Sequence, residues 1–300
     1  MRKILLASTA LIAMSSVSAM AADISISGST AFIYSSDDEN SGDATGDATA
    51  MGTEFDMTVS FSNTTDSGLS TTMSFGLDED TANLDDATAT LGGDFGTIRW
   101  TTGADDNYVV SMDEAFDTVG EGSGGTDNTL GGVGGTTIGY QPPSIMDGLT
   151  INFEAGDASG ADGTASEHFG YGASMDLGVA TVTAAKLSTN VVDQTHVSIS
   201  ASIAGVGVAV EQNSTDDSDN DDEDTSTLYG LSYAMDGVTV SYEQGKTDDD
   251  GDETNSYSQM QVAYTVATGI TAILAQSSVD DQTAADADVE QTQFQLKVSF

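Results

Sequence analysis

The sequence Val-Glu-Gln-Thr-Gln-Phe-Gln-Leu-Lys-Val-Ser-Phe, residues 289–300, decides the fold of this chain. Its second half alternates strictly, with a period of two residues that is typical of a β-strand. One face of the predicted strand carries the apolar residues Phe294, Leu296, Val298 and Phe300. The other face is polar and carries Lys297. An aromatic residue at the end of such a strand suits a barrel that closes in a membrane, because the last strand pairs with the first there. We therefore expect residues 289–300 to pair antiparallel with a strand near 24–34, with Phe300 at the barrel seam.

The N-terminal region predicts export from the cytoplasm. Arg2 and Lys3 precede an apolar stretch at 4–14, and small residues follow as far as Ala21, the pattern of a cleaved secretory signal. The apolar stretch is shorter than the roughly 20 residues of a spanning helix, and no other run is long enough. We expect residues 1–21 to be a signal peptide and residues 22–300 to form one domain that enters a membrane as strands.

The charge of the chain excludes some partners. The sequence has 49 acidic and 6 basic residues, a net charge of −43, and two of the basic residues lie in the predicted signal. Nucleic-acid binding depends on clustered Lys and Arg, so no nucleic-acid partner is expected. Cysteine is absent, which excludes disulfides and thiolate metal sites. The only prolines are Pro142 and Pro143, so other segments keep every backbone donor for a strand ladder.

About sixteen segments show the strand period, an even number as in single-chain outer-membrane barrels. They lie near 24–34, 53–62, 69–76, 85–91, 97–103, 136–140, 149–155, 167–175, 178–187, 195–203, 206–212, 225–235, 238–245, 255–266, 270–276 and 289–300. Short turns alternate with long polar connections, which we place at 35–52, 104–135, 156–166, 213–224, 246–254 and 277–288. This organisation predicts an all-β fold, a transmembrane antiparallel up-and-down β-barrel. A β-sandwich would not need such a regular alternation of connection lengths, and the fixed sequence repeat of a solenoid is not visible.

Several short motifs resemble the trimeric general porins of Gram-negative bacteria, in particular the Rhodobacter type. They are Thr-Thr-Asp-Ser-Gly-Leu at 64–69, Leu-Gly-Gly-Asp-Phe-Gly-Thr at 91–97, Gly-Tyr-Gln-Pro-Pro-Ser at 139–144 with Asp-Gly-Leu at 147–149, and the terminal Phe300. Each motif is weak alone, but their order and spacing run along the whole chain. The resemblance implies a sixteen-stranded barrel, a homotrimer, and a long third loop that folds inward and narrows the pore.

The longest predicted connection, 104–135, lies between the fifth and sixth strands, where the resemblance places the third loop. A capping box at 111–114 predicts a short helix at about 112–119. In one interpretation the loop is a pore constriction: one face of the helix packs on the barrel wall, and its carboxylates face the water of the pore. The other interpretation is a solvated acidic loop with no role.

The two faces of that helix give the candidate constriction residues. The apolar residues Met112 and Phe116 would anchor the loop. The carboxylates of Asp113, Glu114 and Asp117 would line the pore constriction.

The basic residues depart from the family pattern, which sets a cluster of arginines on the wall opposite the loop. Alternation puts Arg99 on the inner face and Trp100 toward lipid or a subunit contact, because a charge in lipid is costly. Arg99 is therefore a candidate pore-wall residue; alternatively it pairs structurally with a neighbouring aspartate. Lys297 is the second candidate, near the periplasmic end of the pore. Lys186 is expected at the outer rim of the lipid face, reaching toward lipid headgroups or lipopolysaccharide phosphates.

The remaining polar features predict no catalysis. His168 and His196 lack partners at metal-ligand spacing, and we expect both to be ordinary rim residues. The acidic runs at 216–224 and 248–253 have the oxygen chemistry that calcium prefers, but neither fits an EF-hand loop. They are either hydrated loops or calcium sites, and shared divalent cations could link them to outer-leaflet phosphates. No nucleophile elbow, phosphate loop or zinc motif is present, so the protein is not expected to be an enzyme and requires no cofactor.

These observations predict an outer-membrane pore for passive diffusion of ions and small hydrophilic solutes. Because carboxylates outnumber basic groups, we expect it to prefer cations. Expected partners are outer-membrane lipids, lipopolysaccharide and two further copies of the chain. Two alternatives remain at this stage, an acidic surface protein with a structural or adhesive role and no pore, and a secreted calcium-dependent β-solenoid.

Overall fold

The computed structural model describes residues 23–39, 48–78, 87–103, 135–159, 165–190, 192–217, 222–249, 252–281 and 289–300. Within these ranges the chain is all-β, as predicted. No helix among the described residues is long and apolar enough to cross a membrane.

Sixteen strands form one closed antiparallel barrel in which each strand pairs with its neighbours in sequence. The first eight are β1 Asp23–Glu39, β2 Ala48–Thr64, β3 Ser70–Asp78, β4 Ala87–Gly93, β5 Gly96–Gly103, β6 Gly135–Gln141, β7 Leu149–Ser159 and β8 Ala165–Asp176. The last eight are β9 Ala180–Ser188, β10 Val192–Ile203, β11 Val206–Asp217, β12 Asp222–Met235, β13 Val238–Asp249, β14 Asp252–Ala267, β15 Ile270–Asp281 and β16 Val289–Ser299.

The barrel closes where β16 pairs antiparallel with β1, which confirms the seam predicted from residues 289–300. The register runs from Ser29 opposite Ser299 to Glu39 opposite Val289. Phe300 continues the ladder with two backbone hydrogen bonds, from Gly28 N to Phe300 O (3.1 Å) and from Phe300 N to Gly28 O (3.0 Å). Closure leaves the main-chain groups of both strands paired, which a barrel in lipid requires.

The connections at one end of the barrel are short. Two-residue turns join β10 to β11 and β12 to β13, and their residues lie in the left-handed region, with φ of 50° at Asp236 and 81° at Gly237. This conformation matches the twist of the strands that the turn joins. The end with the short turns also carries the start of β1 and the end of β16. In outer-membrane barrels this is the periplasmic end.

The strands are longer at the opposite end than the sequence pattern predicts. The boundaries expected for the connections at 35–52, 213–224, 246–254 and 277–288 are wrong, because β1 continues to Glu39, β11 to Asp217, β13 to Asp249 and β15 to Asp281. Aspartate has a low strand propensity, but pairing with a neighbouring strand overrides it where both faces are hydrated. Between β9 and β10 the alternation of connection lengths also fails, since only residues 189–191 join them.

The outward face of the barrel is apolar and bears aromatic residues near both ends, as a barrel in a bilayer requires. Tyr140, Tyr233 and Tyr264 lie near the short turns, and Tyr140 Oη donates to the carbonyl oxygen of Phe95 (2.8 Å). Near the opposite end lie the exposed rings of Tyr34, Phe169, Tyr171 and Phe294. These two girdles mark the band of the wall that faces lipid.

Candidate functional site: the inner wall of the barrel

The inner face of the barrel is mixed, and among its buried side chains polar residues outnumber apolar ones such as Leu187 and Ile273. Along β16 and β1, the exposed Phe294 and Tyr34 point outward, whereas Gln295 is only 3% exposed and points inward. Because side chains alternate between the two faces of a strand, the same division holds around the barrel. Buried polar residues of the inner face include Thr101, Thr137, Asn213, Ser226, Ser241, Gln259, Gln261 and Ser277. A polar interior enclosed by an apolar exterior can hold water across a membrane.

Arg99 lies in β5 on the inner face, with Trp100 on the outer face. Arg99 is opposite Gly139 of β6, and Gly139 is opposite Glu154 of β7. Thr101, two residues from Arg99 and on the same face, is 4% exposed, while Trp100 is 38% exposed. The orientation agrees with the alternation read from the sequence. The register therefore places the carboxylate of Glu154 two strands from the guanidinium of Arg99, with Gly139 on the strand between them.

Lys297 lies on the inner face of β16 beside the seam. It is opposite Ala31 of β1 and Thr271 of β15. Gln295, its neighbour on this face, is buried. Lys297 is near the end of the barrel that carries the short turns, where the sequence pattern placed it.

Several carboxylates of the inner face were not identified from the sequence. Among the described residues they include Glu54 and Asp56 of β2, Glu154 of β7, Glu211 of β11, Asp224 of β12 and Glu243 of β13. The first two are exposed, whereas Glu154 and Glu243 are 2% and 0% exposed. The signal that could have found the β2 pair is its alternation with Phe55 and Met57, which face outward.

Both histidines lie on the inner wall, and the prediction that they are rim residues is wrong. His168 and His196 are 4% and 2% exposed. His168 Nε2 lies 3.8 Å from Glu154 Oε1, and His196 Nδ1 lies 3.1 Å from Asn213 Oδ1. The two residues of each pair lie on neighbouring strands, so sequence spacing could not reveal them. Both histidines are part of the packed polar wall.

A second hydrogen bond ties a buried carboxylate into this wall. Tyr257 Oη donates to Glu243 Oε1 at 2.5 Å, from β14 to β13. The bond fixes the position of a carboxyl group that is fully buried in the inner wall.

Two lysines lie on the outer face, each with an aspartate. Lys186 Nζ is 2.8 Å from Asp193 Oδ2, at the ends of β9 and β10 that join through residues 189–191. Lys246 Nζ is 2.7 Å from Asp248 Oδ2, near the end of β13. Lys186 is therefore at the outer rim of the lipid face, as its alternation predicts, with a protein carboxylate as its partner. Neither lysine contributes a positive charge to the inner wall.

The predicted third-loop residues Met112, Asp113, Glu114, Phe116 and Asp117 lie outside the described residues, which stop at 103 and resume at 135. Their assignment stays a prediction. Among the described residues, no group of three or more His, Asp or Glu side chains could hold a metal ion. Calcium binding by the acidic runs also stays a prediction, since parts of both runs are outside these ranges.

The comparisons with known proteins agree on the fold. A family model described as Gram-negative porin matches residues 7–300. The anion-selective porin from Comamonas acidovorans superposes with a TM-score of 0.71 at 14% identity, over 93% of this chain and 100% of that chain. A loop-deletion variant of OmpT, an outer membrane protein of Vibrio cholerae, gives 0.69 at 13% identity with the same coverage. An engineered mutant of the Rh. blastica porin gives 0.62 at 13%, again over 93% and 100%. No curated protein matches the chain.

Proposed function

Because this chain belongs to the Gram-negative porin family and forms a sixteen-stranded barrel of the outer membrane, we propose that its channel passes ions and small hydrophilic solutes by passive diffusion and prefers cations. The family and the fold support a porin channel. The preference for cations is supported by the charges of the inner wall.

The distribution of charge between the two faces of the wall carries this proposal. Of the basic residues in the described ranges, Arg99 and Lys297 lie on the inner face, and Lys186 and Lys246 lie outside in ion pairs. The inner face carries more solvent-accessible carboxylates than that, among them the exposed Glu54, Asp56 and Asp224 and the half-buried Glu211. A lumen with excess negative charge raises the local concentration of cations and lowers that of anions. The inner wall therefore favours cations before any loop is considered.

The anion-selective neighbour from Comamonas acidovorans does not conflict with this proposal. At 14% identity the likeness shows the fold alone. The same barrel supports either preference, because selectivity depends on the side chains that line the lumen.

Single-channel recording in planar bilayers tests the preference directly. With a tenfold KCl gradient across the membrane, we expect a reversal potential of the sign that K⁺ selectivity gives. A reversal potential of the opposite sign, or one near zero, would contradict the preference while leaving the channel intact. Stable bilayers without conductance steps would favour the adhesive surface protein instead.

The third loop is proposed as the constriction, with Met112 and Phe116 as its anchors and Asp113, Glu114 and Asp117 as its charges. Replacing Asp113 and Asp117 by Asn should lower the permeability ratio of K⁺ to Cl⁻ strongly at both low and high salt. A matched variant with Asn at Asp216 and Asp280, on the outer rim, should have a small effect that vanishes at 1 M KCl, where the screening length is about 3 Å. Equal effects of the two variants would count against a constriction role.

Gram-negative porins are generally trimeric, and membership of this family supports a homotrimer here. We propose that the outer face of β3–β6, which carries the exposed Trp100, contacts neighbouring subunits.

Three further proposals complete the function. Residues 1–21 act as the export signal. The outer rim contacts lipopolysaccharide, with Lys186 and Lys246 at the level of the headgroups. Calcium binding by the acidic runs is proposed as an accessory property, which isothermal titration of the folded trimer with CaCl₂ would detect.

A further inference from the structure

A row of three residues crosses the seam on the inner face. Ala31 of β1 is opposite Lys297 of β16 on one side and opposite Glu54 of β2 on the other. Neighbouring strands are spaced about 4.8 Å apart, so the Cα atoms of Lys297 and Glu54 are separated by about 10 Å. The residue between them has a single methyl group, over which both longer side chains can extend.

The burial of the row agrees with this arrangement. Ala31 is 3% exposed, although it lies on a wall that encloses the lumen. Glu54 is exposed and Lys297 is half-buried. Asp56, the next inward residue of β2, accepts a hydrogen bond from Ser29 Oγ at 3.3 Å. Two carboxylates and one ammonium group therefore share one sector of the inner wall.

Lys297 is not locked into this sector by a direct ion pair. Among the described residues, the ion pairs of Lys186, Lys246 and His168 do not include Lys297. Its charge acts on Glu54 and on passing ions through the solvent of the lumen. At separations near 8 Å in water, one unit charge changes the local concentration of a monovalent ion by about twofold.

We propose that Glu54 is a selectivity-determining residue that compensates Lys297 across the seam, so that this sector of the pore wall is net negative rather than neutral. This inference rests on the proposed channel function. Lys297 is the basic residue of the sector, and Glu54 with Asp56 outnumbers it. Without Glu54, the positive charge of Lys297 and the negative charge of Asp56 cancel, and the sector no longer attracts cations. The arrangement is set by barrel closure, which brings residues 54 and 297 together.

The test is a series of charge-neutralising variants, for each of which the reversal potential is measured in a KCl gradient. E54Q should lower the permeability ratio of K⁺ to Cl⁻ by about twofold, and K297Q should raise it by about twofold. The double variant E54Q/K297Q removes one charge of each sign and should return to the wild-type ratio.

The control is E54Q/K246Q, which has the same net charge as E54Q/K297Q. Lys246 lies on the outer face in a pair with Asp248, so its removal should not restore the ratio. The inference is overturned if E54Q has no effect, or if K246Q rescues E54Q as well as K297Q does. A heat-modifiability gel of each variant checks that the barrel is folded.

The outcome separates this inference from the preference of the whole pore. If the wild-type channel is not cation-preferring but the variants shift in the stated directions, the row is supported and the overall preference fails. If the wild-type channel prefers cations and the variants are unchanged, the preference stands and the row is refuted.

Discussion

At the scale of single residues, the sequence pattern was most informative where a side chain had two possible faces. The alternation around Arg99 and Trp100 indicated an inward guanidinium and an outward indole, and the structure has this orientation. The pattern did not indicate which side chains form ion pairs or hydrogen bonds with each other. Lys186 pairs with Asp193, and His168 lies beside Glu154. Both pairs depend on strand register, which a single residue and its neighbours do not encode.

Ala204 has a backbone conformation that its side chain disfavours. Ala204, in the turn between β10 and β11, has φ of 52°, and Gly205 has 83°. The left-handed region brings Cβ close to the next carbonyl oxygen, which costs about 1 kcal/mol for alanine. Gly205 accepts a hydrogen bond from Ala234 N (2.9 Å), which holds the turn in place.

Replacing Ala204 with glycine should therefore stabilise the barrel. After allowance for the greater freedom of glycine in the unfolded chain, we expect a gain of about 0.5 kcal/mol in the free energy of unfolding. Urea titration of the barrel refolded into vesicles, followed by fluorescence, measures it. The matched variant is D236G, at the same position of the next turn, where φ is 50°. Aspartate tolerates this region better than alanine, so D236G should gain less; a loss of stability in A204G would refute the argument.

At the scale of the element, Phe300 extends the seam beyond the β1–β16 ladder and covers a glycine of β1. The Phe300 ring lies beside Gly28, where a Cβ would come within 3.0 Å of Phe300 Cζ and closer still to the Asp56 carbonyl oxygen. Glycine is therefore required at this point of β1. The ring covers the bare backbone of Gly28, as aromatic side chains do for glycines in other sheets.

Two variants separate the ring of Phe300 from its backbone. F300A removes the ring and keeps both hydrogen bonds to Gly28, whereas a chain that stops at Ser299 loses the ring and both bonds. The shorter chain should be less stable than F300A by about 2 kcal/mol, the net contribution of two hydrogen bonds. Urea midpoints of the refolded barrels give the difference. Equal midpoints would mean that the backbone pair does not contribute to the seam.

The acidic ends of the strands show where element prediction fails. The sequence at 213–224 reads as a loop because aspartate disfavours strands, yet β11 and β12 pair from Val206 opposite Tyr233 to Asp217 opposite Asp222. Propensity describes a residue in an average environment. Here a ladder that is already formed in the membrane continues outward, and each further pair adds hydrogen bonds without burying a charge.

At the scale of the whole molecule, the outer face of the barrel sets the expected assembly. The sector β3–β6 contains Trp100, which is the one tryptophan of the sequence and is 38% exposed on the outer face. Intrinsic tryptophan fluorescence therefore reports on this sector alone.

If β3–β6 face neighbouring subunits, Trp100 should be shielded from lipid in the trimer. We expect brominated lipids to quench its fluorescence weakly in native trimers and at least twofold more strongly in monomers separated by partial heating. The control is the double variant W100F/L274W, which moves the single tryptophan to the outer face of β15. Its fluorescence should be quenched in both the trimer and the monomer. Strong quenching of Trp100 in the native trimer would place β3–β6 against lipid.

The sequence by itself determined the number of strands, the two faces of each strand and the positions of the tight turns. These features depend on local patterns: a period of two, and glycine or aspartate at left-handed positions. Only the tertiary structure decided which charges share the lumen. Glu54 and Lys297 lie two strands apart with Ala31 between them, and Arg99 and Glu154 lie two strands apart with Gly139 between them. The physical reason is that register and closure are properties of the complete hydrogen-bonded ring, so they bring together residues that no local spacing relates.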